Sequence, residues 1–333
     1  MDTGLSCMTL WPVATFIFIF VINRYMHKLR LSPRTYKDKF VLITGCDSGF
    51  GKITAKKLHE MGFNVFAACL TEKGVQELAG LSQQKGRLLP FLMDVSKTES
   101  IQQGYEFVSQ HIPKGKGLWG LVNNAGISGG FGPPEFFTRA TYQGALDVNT
   151  LGMIDVTLRF LPLLKQAKGR LVNMCSVMGR VCLPLCTPYA VSKFAVEAFS
   201  DGMRKHLKIW GVSVHVIEPG FFTTNLSDPA RLSGEFDKIY DNAPPPAREE
   251  YGDIYVQEVK EVIVKDMERS SSPDIHLVRD AYITALTARF PYTRYHVGTD
   301  AHIFLFFLSF LPGAWEDWLH SFFNTIVLPG ALR

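Results

Sequence analysis

None of the six cysteines stands in a CxxC pair, and the nine histidines are scattered without metal-ligand spacing. A structural zinc site needs such clustering, so no metal is expected. Most of the cysteines (Cys7, Cys46, Cys69, Cys175, Cys182, Cys186) lie in apolar runs, as reduced thiols in a body facing a reducing compartment would. Charge of one sign is missing as well. The 35 Lys and Arg nearly balance the 31 Asp and Glu, leaving +4, and no long basic run crosses the body of the chain. That argues against a nucleic-acid partner. Internal repeats and low-complexity tracts are absent, and 333 residues suffice for one large α/β domain or two small ones.

One further absence is local. Residues 3–23 carry no charge, and Trp11 to Ile22 is almost wholly apolar, close to the ~20 residues a spanning helix needs. Arg24, Lys28, Arg30, Arg34, Lys37 and Lys39 follow it, with only Asp2 in front. Basic residues on that side are wrong for a cleaved signal peptide. The positive-inside rule makes residues 1–35 an uncleaved anchor and basic flank, with the body in the cytosol.

What is present beyond it alternates. KFVLIT (39–44) reads as a buried strand, GCDSGFG follows at once, and KITAKKLHEMG then reads as a helix. Gly45, Gly49 and Gly51 let the backbone turn tightly and approach a pyrophosphate at a helix N-terminus, with Asp47, Ser48 and Phe50 in the same loop. NVFAACL (64–70) is a second strand, whose end would lie beside an adenosine ribose. RLLPFLMDV is a third, ending in Asp94 and Val95 where an adenine ring would sit. GLWGLVNNAG is a fourth, ending in Asn123, Asn124, Ala125 and Gly126. Helical runs between strands predict a doubly wound parallel sheet, with ligands at the C-terminal strand ends.

The chain is organised around residues 176–193. Ser176 closes the apolar run GRLVNMCS, which reads as a buried fifth strand, and Pro188 opens a helical pattern as proline does at a first helical position. Tyr189 and Lys193, four residues apart, share one helix face. An ammonium beside a phenol favours the phenolate and predicts a lowered pKa. Such a tyrosine exchanges a proton with an alcohol or carbonyl oxygen, and Ser176 could hydrogen-bond the same oxygen. A Tyr-x-x-x-Lys pair alone is weak, and gains weight only inside a cofactor fold.

TGCDSGFG, NNAG, Asn149 in DVNTLG, Ser176, YAVSK and PGFFTT, in this order over about 38–300, resemble the short-chain dehydrogenase/reductase family. TGCDSGFG and VEAFSD narrow the resemblance to retinol, hydroxysteroid and 3-hydroxybutyrate dehydrogenases. The resemblance implies NAD as cofactor, Tyr189 as acid/base, and Lys193 on the nicotinamide ribose. It implies Ser176 steadying the substrate oxygen and Asn149 holding a water in the proton path. Asn123 to Gly126 would flank the ribose, and Pro219, Gly220 and Thr223 would meet the nicotinamide. Cys175 stands where relatives often have serine. The Ser176–Tyr189 spacing is one residue longer than in many retinol-type relatives, closer to the hydroxybutyrate branch.

VSVHVIEPG (212–220) is a sixth strand and TRYHVG a short last one. The catalytic domain spans 36–300; the resemblance implies a substrate lid at about 221–270, a stretch carrying Phe221, Phe222, Phe236, Tyr240, Tyr251 and Tyr255 and a hinge at the prolines 244–246. Residues 301–333 form an apolar tail. Its ten-residue run IFLFFLSFLP is too short to span a membrane, so it lies in the interface, lines the substrate entrance or covers a partner copy.

Only Arg180 is charged between Ser176 and Tyr189, where a carboxylate-clamping cation is expected for 3-hydroxybutyrate. The expectation is an NAD-dependent dehydrogenase of an apolar lipid alcohol, hydroxysteroid or retinol, on the cytosolic face of the endoplasmic reticulum membrane. The mitochondrial inner membrane is the alternative site. Dimers are common in the family. A membrane-held 3-hydroxybutyrate dehydrogenase and a non-catalytic dinucleotide-binding scaffold remain as alternatives.

Overall fold

The computed structural model describes residues 14–15, 18–19, 21–22, 24–81, 87–302, 306–323 and 327–332. Seven strands among them form one parallel sheet in the order β3-β2-β1-β4-β5-β6-β7. They are β1 (Phe40–Ile43), β2 (Asn64–Cys69), β3 (Arg87–Leu92), β4 (Leu118–Asn123), β5 (Arg170–Met174), β6 (Ser213–Pro219) and β7 (Arg294–Val297). Each expected strand is there, shorter by a residue or more at its ends.

Period-two alternation decides which face each side chain meets. Val41, Ile43, Val65 and Ala67 point into one buried layer with Leu58 of helix Gly49–Glu60 and Tyr282 of helix His276–Thr287. Phe40, Leu42, Phe66 and Ala68 point into the other, against Ile101 of helix Thr98–His111 and Phe160 of helix Met153–Ala167. Both faces are covered, which is why these strands read as continuous apolar runs. The strand order reverses between β1 and β4, so a crevice opens at their C-terminal ends.

Beyond β6, helices Pro229–Asp241 and Pro245–Ser270 form a cap with its own core around Phe136, Phe236, Tyr255 and Val259. The prolines expected as a hinge instead start the second helix: Pro244 caps it and Pro245 and Pro246 open it, which their fixed φ suits. The break falls at Gly252, whose φ of 75° and ψ of 163° a side chain would strain.

Of the expected anchor, residues 1–13, 16–17, 20 and 23 lie outside the described residues. The described positions between 14 and 26 are helical, and Phe18, Ile19, Val21 and Ile22 are exposed. Among the described residues no helix is long and apolar enough to cross a membrane. The tail folds back on the body: Leu308, Leu311 and Leu319 pack against Val177, Met178 and Val181. Phe310, Trp315 and Trp318 face outward. Cys46, Cys69, Cys175, Cys182 and Cys186 are free thiols.

Candidate active site

A continuous cleft of about 1470 Å³ runs along the C-terminal strand ends, from the glycine loop past Tyr189 to the cap and tail. Its first wall is built by tying β1 to β4. The Thr44 hydroxyl accepts the backbone N–H groups of Asn124 and Ala125, each at 3.0 Å. Asn124 Nδ2 donates back to the Thr44 and Gly45 carbonyls at 2.8 and 3.0 Å, and Tyr282 donates to Asn124 Oδ1. This close seam is what the glycines permit. Gly45 has φ +68°, and a Cβ on it would sit 2.8 Å from Ala125 Cα; one on Gly51 would overlap the Gly45 carbonyl. Gly49, at φ +56°, faces open space beside Ser48 and Phe50 along the cleft. Ser48 is the N-cap of a 12-residue helix, so that helix's leading N–H groups face the cleft, as a pyrophosphate requires.

Asp47 does something its place in the sequence conceals. Its carboxylate crosses to the end of β2, accepting Leu70 N at 2.8 Å, Thr71 N at 2.9 Å and Thr71 Oγ1 at 2.6 Å. The acid that β2's own sequence lacks at its end is supplied by the loop. Nearby, Lys52 and Lys73 both turn to Glu77. Asp94 and Val95 line the same end of the cleft; Asp94 Oδ1 accepts Ser96 N at 2.9 Å and Ser96 Oγ at 2.7 Å. The cradle, the helix terminus and the acidic strand end together fit a dinucleotide.

At the other end stand Ser176, Tyr189 and Lys193. Ser176 caps a 3-10 turn (Val177–Gly179), its Oγ accepting Met178 N at 3.1 Å. Tyr189 and Lys193 project from helix Thr187–Leu207 one turn apart, and all three line the cleft. Lys193 is 2% exposed, its Nζ donating to the Met174 carbonyl at 3.2 Å and standing 5.4 Å from the Tyr189 ring centre. The expected lowering of the phenol pKa is corrected here. Burial pushes Tyr189 above its ordinary value, the nearby Cys175 adds to this, and the hydrogen bond with Ser176 pulls it down. Burial likewise pushes Lys193 down.

Asn149 sits in a π-helical segment, Asp147–Gly152, a distortion that often marks function. Its Oδ1 accepts Ile127 N at 2.8 Å, and both Nδ2 hydrogens are spent, on Ile127 O and Ser192 Oγ at 2.9 Å each. The residue thereby clamps the loop after β4 to the Tyr189 helix. Ala125, Gly126, Pro219 and Gly220 line the cleft. Asn123 lies behind it, buried, donating to Thr157 and Asn173. Thr223 is exposed outside the lining, and its neighbour Thr224 faces in. Of the lid aromatics, Phe221, Phe222 and Tyr255 line the cleft, while Phe236, Tyr240 and Tyr251 ring Phe136 in the cap's core.

A doubly wound sheet, a phosphate cradle at its switch point and a phenol–ammonium–hydroxyl group in one cleft define a nicotinamide-dinucleotide oxidoreductase. Comparison with known proteins makes this more particular. Residues 39–233 match the model of the short chain dehydrogenase family. The chain is 46% identical to retinol dehydrogenase 16 of Mus musculus over 276 residues, covering 83% of this chain and 86% of that protein. It is 46% identical to retinol dehydrogenase 7 of Rattus norvegicus over 284 residues, covering 84% and 87%. A short chain dehydrogenase/reductase from Burkholderia phymatum, solved with NAD, shares the fold at a TM-score of 0.68 and 20% identity, over 87% of this chain and 98% of that one. The chain belongs to the short-chain dehydrogenase/reductase family, in a branch that includes retinol dehydrogenases, and is an NAD(P)-dependent oxidoreductase of the alcohol dehydrogenase type.

Proposed function

We propose that the protein oxidises the hydroxyl of an apolar lipid alcohol, of hydroxysteroid or retinol type, with NAD in preference to NADP. The observation that carries this is the fate of Arg180. The only charge between Ser176 and Tyr189, it is turned away into an ion pair with the fully buried Glu218, at 2.6 and 3.1 Å. Arg294 and His296 of the PYTRYH stretch meet the same carboxylate, at 3.0 Å each. Neither arginine is left to clamp a small acid, and an unpaired carboxylate is costly to bury. The cleft beside Tyr189 instead presents Val177, Leu183, Leu185, Phe131 and Phe221. An apolar alcohol gains about 25 cal/mol per Å² of surface removed from water there. The retinol dehydrogenases among its relatives agree with this reading.

A bound nicotinamide dinucleotide would supply the hydride acceptor. The chain's own residues handle the rest: Tyr189, as the phenolate, takes the hydroxyl proton and becomes neutral, the Ser176 hydroxyl bonds the substrate oxygen, and Lys193 opposes the phenolate's charge before that transfer. Lys193 uses one N–H on Met174, and its others serve the ribose. Asp47 at the end of β2 favours a ribose hydroxyl over a 2′-phosphate, which wants a cation. Purified protein assayed with retinol, hydroxysteroids and 3-hydroxybutyrate, each with NAD and NADP, tests both halves. The expected kcat/KM favours a lipid alcohol over 3-hydroxybutyrate at least tenfold, about 1.4 kcal/mol of transition-state binding. The reverse order would instead identify a membrane-held 3-hydroxybutyrate dehydrogenase, a lower KM for NADP would refute the cofactor assignment, and no turnover on any alcohol would leave a binding scaffold.

A further inference from the structure

Asp300 stands just past β7 and lines the cleft beside Gly220 and Phe221. Its Oδ2 accepts the Phe221 N–H at 2.7 Å. The chain is glycine on both sides to admit this carboxylate. A Cβ on Gly220 would overlap both of its oxygens, and one on Gly298, already at φ +107°, would overlap Oδ1. Just below, Gly220 N donates to the Val297 carbonyl at 2.9 Å, the last rung between β6 and β7.

From this point the chain leaves for the lid, and it returns to the same place. Phe222 forms a bridge with Ser272. Ser272 N donates to Phe221 O at 3.0 Å, and Thr223 N to Ser272 O at 2.9 Å. The two ends of the lid are sewn together, and the seam is fastened to the sheet through the carboxylate. A charged acceptor holds a backbone N–H about twice as strongly as a neutral one.

We propose that Asp300 is a positioning residue that sets the Gly220–Phe221 turn, and with it the nicotinamide end of the cofactor cleft and the root of the lid. This rests on reading the cleft as a dinucleotide site. ADP-ribose carries the adenosine and pyrophosphate but no nicotinamide, so it separates the two ends of the cleft. Binding of NADH and of ADP-ribose to the full-length protein is measured by fluorescence and calorimetry, for wild type, Asp300→Ala and Asp300→Asn. Asp300→Ala is expected to weaken NADH at least tenfold and to leave ADP-ribose within twofold. Asp300→Asn keeps an oxygen for the Phe221 amide and is expected to bind NADH within threefold of wild type. Three results would overturn the proposal: NADH binding unchanged in Asp300→Ala, parallel loss of both ligands, or Asp300→Asn as weak as Asp300→Ala. Wild-type protein that binds neither ligand would instead refute the dinucleotide site itself.

Discussion

Tyr189 is held by opposed influences whose balance has a kinetic signature. Burial raises its pKa, Cys175 raises it further, and the Ser176 hydrogen bond lowers it. Alcohol oxidation uses the phenolate, whose fraction grows tenfold for each pH unit below the phenol pKa. Oxidation is therefore expected to climb with pH through the neutral range and beyond it, while carbonyl reduction, which uses the phenol, stays level there. A general acid–base group contributes about 10²–10⁴-fold. Tyr189→Phe should lose a factor of that order in turnover and lose the climb, yet bind NADH as before. Initial rates in both directions across pH check this; near-normal rates with the climb intact in Tyr189→Phe would exclude the phenol as the proton carrier. Ser176, Tyr189 and Lys193 were legible in the sequence because helix periodicity and a strand end suffice to bring them together. The direction of the phenol's shift was not, because burial depends on the cap and tail that close over it. Asp47 was legible as part of the glycine loop but its reach to the end of β2 was not, and Asp300 was illegible as part of the site altogether, for a related reason. Each acts on backbone amides of a distant segment, Leu70 and Thr71 for one and Phe221 for the other.

Among the elements, β6 meets the Tyr189 helix through the buried pair Val216 and Val196, and charge joins both β6 and β7 to it as well. Arg294 on β7 pairs with Glu197 and Asp201 of that helix and with Glu218 on β6, while Glu218 also takes Arg180 from the Ser176 turn. Burial would raise the Glu218 carboxyl, but hydrogen bonds from His296 and Arg180 prevail and hold it at about 2. Its folded value is thus depressed, so its share of stability is whole above the ordinary carboxylate range and is lost as pH falls toward 2. Removing one partner from a buried network leaves charge uncompensated and costs roughly 3–5 kcal/mol. Arg294→Met should lower stability by that order, measured by urea denaturation near neutral pH, because Glu197 and Glu218 are then left facing each other. A loss under 1 kcal/mol would mean that the network is solvated and idle. The strands themselves were readable as continuous apolar runs, since sheet burial on both faces leaves that pattern. The lid was not readable in the same way: its prolines looked like a break but serve as a helix start, and the true break is one glycine inside an otherwise helical run.

For the whole molecule, the expected anchor and its basic flank predict which side of a membrane the domain would face. Arg24, Lys28, Arg30, Arg34 and Lys37 are all exposed, just after the apolar stretch whose described residues Phe18, Ile19, Val21 and Ile22 are exposed too. Lys39 is drawn into the body, its ammonium 3.3 Å over the Trp119 ring. If residues 1–35 anchor the chain as its sequence leads one to expect, the positive-inside rule keeps these cations, and the body with them, in the cytosol. The chain carries a reporter for this. Asn225-Leu226-Ser227 is a glycosylation sequon, and it receives a glycan only in the lumen. Asn225 is exposed at the rim of the cleft, so shielding in the fold would not account for a missing glycan. In cells making this protein no glycan is therefore expected on Asn225, and endoglycosidase should leave its mobility unchanged. A shift abolished by Asn225→Gln would place the domain in the lumen and reverse the orientation. Deleting residues 1–30 gives the complementary readout. The truncated protein should be extracted from membranes more easily than the full chain. Some attachment should persist through the outward Phe310, Trp315 and Trp318 of the tail, since aromatic rings of this kind settle at the lipid–water boundary. Extraction unchanged by the deletion would mean that residues 1–30 do not hold the protein to the membrane.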